Sequence, residues 1–160
     1  MNVLVLYDSL YGNTEKVAEA IAKVFVSPHK IKLVKVTHAT FADLNNIDLL
    51  IVGSPTQGGR ATENLQLYLN NIPEDYLKNV FVTSFDTGFL LRDQNFALRL
   101  LLKTIGYAAP KIANILKEKG GQLIAPPEGF VIKGKKGPLA EGELGRAEIW
   151  ANTLQKKASK

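Results

Sequence analysis

Asp8–Thr14, DSLYGNT, sets a serine, a tyrosine, an asparagine and a threonine around one glycine. It follows the apolar run Asn2–Tyr7 and opens a helical pattern. Small donors at a strand-to-helix turn support two kinds of chemistry. With the free first-turn N–H groups of the helix they can bind an anion such as a phosphate. Alternatively, Asn13 or Thr14 merely caps the helix. No Lys or Arg lies between Asp8 and Glu15, so a phosphate held here is held by neutral donors. The loop has neither GxGxxG nor GxxxxGK(S/T), which leaves a dinucleotide fingerprint and an ATP-type P-loop without support.

Two later stretches have comparable potential. In GSPTQGGRAT, Gly53–Thr62, Pro55 stiffens the exit from an apolar run, and Gly58 and Gly59 can take positive φ or let a flat ligand approach the backbone. The alternative is a flexible surface turn with Arg60 in solvent. In SFDTGFLLRD, beginning at Ser84, Phe85 and Phe89 flank Asp86, Thr87 and Gly88. Aromatics there can stack on a flat ring, or they can belong to the core. His29 and His38 lack a clustered carboxylate or second histidine and do not read as metal ligands. Lys133–Gly137, KGKKG, is a solvated loop or a docking patch for an acidic partner.

The elements that must position these loops follow from periodicity. Asn2–Tyr7, Ile47–Gly53 and the run NVFVTSF are continuously apolar enough to be strands buried on both faces. IKLVKV alternates with lysine and predicts a protected edge strand. Val17, Ile21, Val24 and Phe25 mark one face of a helix starting at Asn13. Further helices are predicted over Thr62–Asn71, with Leu65 and Leu69 inward, over Asn95–Ile105, which Pro110–Lys119 continues or repeats beyond GYAAP, and from Glu143 to about Gln155, the last with Ala147, Trp150, Ala151 and Leu154 on one face. GGQLIAPPEGFVI predicts a strand broken by two prolines. Strand and helix alternate about five times, so the expected class is α/β with a parallel sheet and helices on both faces. In such sheets ligands bind beyond the carboxyl ends of the strands, where strand order reverses, and the three loops above leave that edge.

The 160 residues, 46% of them hydrophobic, suit a single domain over 1–160, with 156–160 a frayed tail. With no cysteine there is no disulfide, thiolate nucleophile or cysteine-bound metal. No signal peptide is read at the N-terminus, and no run approaches roughly 20 apolar residues. A soluble cytoplasmic protein without a membrane partner is expected. Net charge is +5 and uneven: residues 1–80 carry 7 basic and 8 acidic groups, residues 81–160 carry 13 and 7. Without aromatics among the lysines, nucleic acid is not the expected partner.

Taken together, SLYGNTEKVA, VGSPTQGG, FDTG and the ending PPEGFVIKGKKGPLAEGELGRAEIWANTL resemble a flavodoxin of the short-chain type, over essentially the whole chain. The resemblance implies a flavodoxin-like, doubly wound, five-stranded parallel sheet in the order 2-1-3-4-5. It implies FMN, with its phosphate in Ser9, Leu10, Tyr11, Gly12, Asn13 and Thr14. The ring would lie between Pro55, Thr56, Gln57, Gly58 and Gly59 on one side and Phe85, Asp86, Thr87 and Gly88 on the other. A backbone carbonyl near Gly58 would turn to accept a hydrogen bond from the reduced ring, and Asp86, if it points inward, would lower the potential. The implied function is electron transfer of one or two electrons between redox partners, with no catalytic acid, base or nucleophile. The alternatives are a quinone or small-molecule reductase of the same fold, and a flavin-free interaction module. Two departures stand out: Gln57–Arg60 brings no aromatic ring, and the chain is basic where the family is acidic, which implies partners with acidic docking surfaces.

Overall fold

The computed structural model describes residues 1–89, 95–97 and 106–159. Its strands are β1 (Asn2–Tyr7), β2 (Lys30–Lys35), β3 (Leu49–Pro55), β4 (Phe81–Gly88), β5 (Gln122–Leu123) and β6 (Glu128–Val131). All pair in parallel, in the order β2-β1-β3-β4-β5, with β6 also on β4. β5 and β6 are two pieces of one strand position, the fifth expected from the sequence. Pro126 and Pro127 separate them, because a proline cannot donate to the ladder.

Alternation along β1 and β3 divides the core. Val3, Val5, Leu49 and Ile51 face α1 (Asn13–Val24) and α4 (Glu143–Ala158). Leu4, Leu6, Leu50 and Val52 face α2 (Glu63–Asn70) and α3 (Ala108–Glu118). The hydrophobic effect drives both layers, since each face of the central strands is wholly removed from water. Ala18 on α1 and Ala147 and Ala151 on α4 are buried, so two helices pack closely over one sheet face.

Several boundaries shift. β2 is the expected edge strand, with Ile31 and Leu33 partly exposed between its lysines. Phe25 lies just past α1 as its C-cap, fully buried, while Val24 is only partly covered. α3 starts at Ala108, two residues before Pro110, because proline is tolerated in a first helical turn. α4 runs to Ala158, three residues beyond the expected end. Apart from 95–97, the helix expected over Asn95–Ile105 lies outside the described residues. Among the described residues no helix is long and apolar enough to cross a membrane, and no group of three His, Asp or Glu could hold a metal ion.

Candidate functional site

The carboxyl ends of β1, β3 and β4 lie side by side, with Tyr7 in register with Gly53 and Pro55 with Thr87. β1 is followed in the chain by β2 on one side of it, and β3 by β4 on the other, so strand order reverses between β1 and β3. That is the crevice where open parallel sheets take ligands.

The first loop leaves β1 as a tight turn. Asp8 N donates to Gly53 O at 3.0 Å, Ser9 N to Asp8 Oδ1 at 2.9 Å and Gly12 N to Ser9 Oγ at 3.1 Å. Asp8 is buried, and its second oxygen accepts the Thr62 hydroxyl at 2.5 Å. Thr62 is the N-cap of α2 and accepts from Leu65 N, so Asp8 ties the first loop to the start of α2. Gly12 is the N-cap of α1, in the left-handed region at φ 85, and no side chain caps the helix. Neither Asn13 nor Thr14 plays the capping role that was the alternative to an anion cradle. Among the described residues no side chain accepts from the first-turn N–H groups, and the positive end of the helix dipole lies behind them.

The two residues after Gly12 are used elsewhere. Thr14 Oγ1 lies 2.8 Å from Thr87 Oγ1, linking the first and third loops in a buried contact. That bond consumes one of two hydroxyl protons and leaves the other to a ligand. Asn13 Nδ2 donates to Lys136 O at 3.0 Å. Leu10 and Tyr11, 50% and 47% exposed, form the outer rim.

The second loop is a two-residue reversal. Gln57 and Arg60 exchange backbone hydrogen bonds of 2.8 and 3.0 Å across Gly58 and Gly59, whose φ values are 53 and 74. Two consecutive positive φ angles make a type I′ turn, which glycine adopts without strain. The Lys111 ammonium from α3 donates to Gly59 O at 2.6 Å. Gly58 is exposed, with nothing within 4 Å of a Cβ built on it.

The third loop is bound to the second. Thr56 N donates to Thr87 O at 2.9 Å, and Thr56 Oγ1 accepts from Ala108 N at 3.0 Å. Asp86 Oδ2 accepts from Ala109 N at 2.8 Å, and the Thr56 side chain also bonds the carboxylate. Asp86 therefore turns toward the N-terminus of α3.

Burial pushes the Asp86 carboxyl up to about 6, outweighing the N–H donors that favour its charged form. The native state thus holds this proton more tightly than the unfolded chain, whose value is near 3.8. The contribution is fully present below the unfolded value and is lost as pH rises through about 6. Asp86→Asn should remove this component. The difference in urea midpoint between wild type and variant should change sharply from pH 4 to pH 7.5, and parallel profiles would contradict the assignment.

The Phe85 side chain takes the core alternative. It is fully buried, edge-on to Phe130 at 6.0 Å and to Trp150 at 6.3 Å between centroids. Its ring faces the α1 and α4 layer, so it cannot stack on a ligand at the sheet end. Trp150 is partly buried and packs against this layer.

Sequence reasoning missed three contributors. Tyr107 donates its hydroxyl to Phe89 O at 2.8 Å, and its ring lies over Gly88. It stands one residue before α3, as the N-cap position, with no pattern to single it out. Lys111 and Thr62 act through backbone and buried contacts between elements distant in sequence.

The chain matches the Flavodoxin domain family model over residues 4–119. It is 36% identical over 75 residues to the flavodoxin of Aquifex aeolicus, a match covering 46% of this chain and 40% of that one. It is 39% identical over 74 residues to a protein of Nostoc sp. named as a diflavin flavoprotein, covering 43% of this chain and 13% of the relative. The matches thus span less than half the length of these curated relatives. A solved flavodoxin from the domain Archaea superposes with a TM-score of 0.77 over 100% of both chains, at 17% identity, a likeness of fold. The sheet order and the domain match agree: this chain belongs to the flavodoxin-domain family, whose cofactor is FMN.

Proposed function

We propose that the chain is an electron-transfer protein that holds FMN across the three loops and exchanges electrons with partner proteins. The observation that carries this reading is the uncapped first turn of α1 at the switch point, cross-linked to both neighbouring loops through Thr14–Thr87 and Asp8–Thr62. An open set of neutral donors suits one phosphate, and preorganised loops lower the cost of ordering them on binding.

FMN supplies the redox chemistry when bound, and the chain's residues bind, orient and shield it. Ser9–Thr14 would take the phosphate through the available hydroxyl protons and the backbone N–H groups from Asn13 into the first turn of α1. Pro55–Gly59 and Asp86–Gly88 would flank the ring, with Phe85 contributing only backbone. Tyr107 is an added candidate for the ring's surroundings, since it lies over Gly88 and braces Phe89. In the second loop Lys111 holds Gly59 O, which leaves the Gly58 carbonyl as the candidate to turn toward the ring. The buried Asp86 carboxylate acts on the loops by bracing α3 against Thr56.

We further read the positive surplus of residues 81–160 as a docking feature for partners with acidic faces, in the cytoplasm. The test is functional. Protein loaded with FMN, reduced anaerobically and mixed with an acidic ferredoxin or with cytochrome c, should pass electrons reversibly, faster to the acidic protein at low salt. Failure to pass electrons to either would contradict the electron-transfer reading.

A further inference from the structure

The KGKKG segment is brought onto the first loop from 123 residues away. It forms a tight hairpin: Ile132 bridges to Leu139, Lys133 N donates to Pro138 O at 2.9 Å, and Gly137 N to Gly134 O at 2.9 Å. Its base is fixed where Glu143 accepts from Val131 N and where Arg146 pairs with Glu143 and Glu128. Those two carboxylates are therefore engaged by arginine. Its tip is seated on the first turn of α1. Asn13 Nδ2 donates to Lys136 O at 3.0 Å, and a Cβ on Gly137 would lie 2.5 Å from Asn13 Oδ1. The Lys136 ammonium lies 5.7 Å from the centre of the Tyr11 ring. Among the described residues no carboxylate pairs with Lys133, Lys135 or Lys136, and all three are exposed.

The loop that offers donors to a phosphate has no cation of its own, and the fold delivers an unneutralised one to its rim. We propose that Lys136 is the cationic partner of this phosphate cradle and makes the site discriminate phosphorylated from unphosphorylated flavin. The inference rests on the FMN reading of Ser9–Thr14. A compact ammonium on a flexible four-carbon stem can leave an aromatic face for a dianion without moving the backbone that Asn13 holds.

The experiment is a fluorescence titration of flavin-free protein with FMN and with riboflavin, at low and high salt. Lys136→Gln should weaken FMN binding by about three- to tenfold and leave riboflavin unchanged. Its FMN affinity should also be less sensitive to salt than wild type, because the screened charge is gone. Lys136→Arg should restore most of the loss. Lys157→Gln, which changes net charge equally from the end of α4, should do nothing. Gly137→Ala keeps the lysine but pushes the hairpin off Asn13, and should weaken FMN in the same selective way. The proposal is overturned if Lys136→Gln binds FMN like wild type, or if it loses FMN and riboflavin equally. Wild-type protein that binds neither flavin overturns the FMN reading itself.

Discussion

Gly12→Asp is expected to lower FMN affinity by about 100-fold or more while changing riboflavin affinity little. A Cβ at Gly12 meets nothing within 4 Å, so the side chain has room. The left-handed backbone there, φ 85 and ψ −5, is one that aspartate tolerates at a cost of about 1–2 kcal/mol. The new carboxylate would stand at the positive end of the helix dipole, which offsets up to about 1 kcal/mol of that strain. Stability should therefore be nearly unchanged. The cradle, however, would be filled by a negative charge at the point proposed for the phosphate. Gly12→Asn, alike in shape and backbone tolerance but neutral, should lose far less. Titrating each variant with both flavins checks this, and an FMN affinity of Gly12→Asp equal to that of Gly12→Asn would place the phosphate elsewhere.

The second large effect is on packing beneath the site. Gly53→Ala should destabilise the fold by about 2–3 kcal/mol or more, because a Cβ at Gly53 would stand 2.1 Å from Phe85 Cζ. Phe85 cannot step aside, since Phe130 and Trp150 pack edge-on against it. Removing the ring is no cure by itself: Phe85→Ala should cost about 3–5 kcal/mol through lost burial and a cavity. Together the two substitutions should cost clearly less than their sum, because the alanine methyl then fills space the ring has left. Urea unfolding of the four proteins measures this coupling, and strict additivity would contradict the contact. Gly53 lies two residues before the end of β3 and pairs with both Tyr7 and Phe85, so a displaced strand should also loosen the second loop and flavin binding.

These two positions show what a sequence can carry. Gly12 is legible locally: a strand ends, a glycine turns the chain, and a helix begins within a few residues. The element order, the lysine-guarded edge strand and the proline break in the last strand are legible for the same reason, since each is a pattern within a short window. The side of the sheet that Phe85 faces is not. β4 is buried on both faces, so no polar alternation sets its parity. Only its register against Gly53 decides where the ring goes. Asp86, one residue on, must then face the opposite layer, where the start of α3 receives it. The contacts between Asp8 and Thr62, Thr56 and Ala108, and Asn13 and Lys136 join residues from 52 to 123 positions apart. No local propensity encodes them. They arise because a parallel sheet returns every strand end to the same edge.

The assignment of the three loops to FMN is tested most directly by titrating the purified, flavin-free chain against FMN and following the flavin's fluorescence and visible absorption. The structure predicts saturable quenching at one FMN per chain, with a perturbed visible band that stays with the protein through gel filtration. Fluorescence that remains that of free FMN, and protein that elutes colourless, would contradict it.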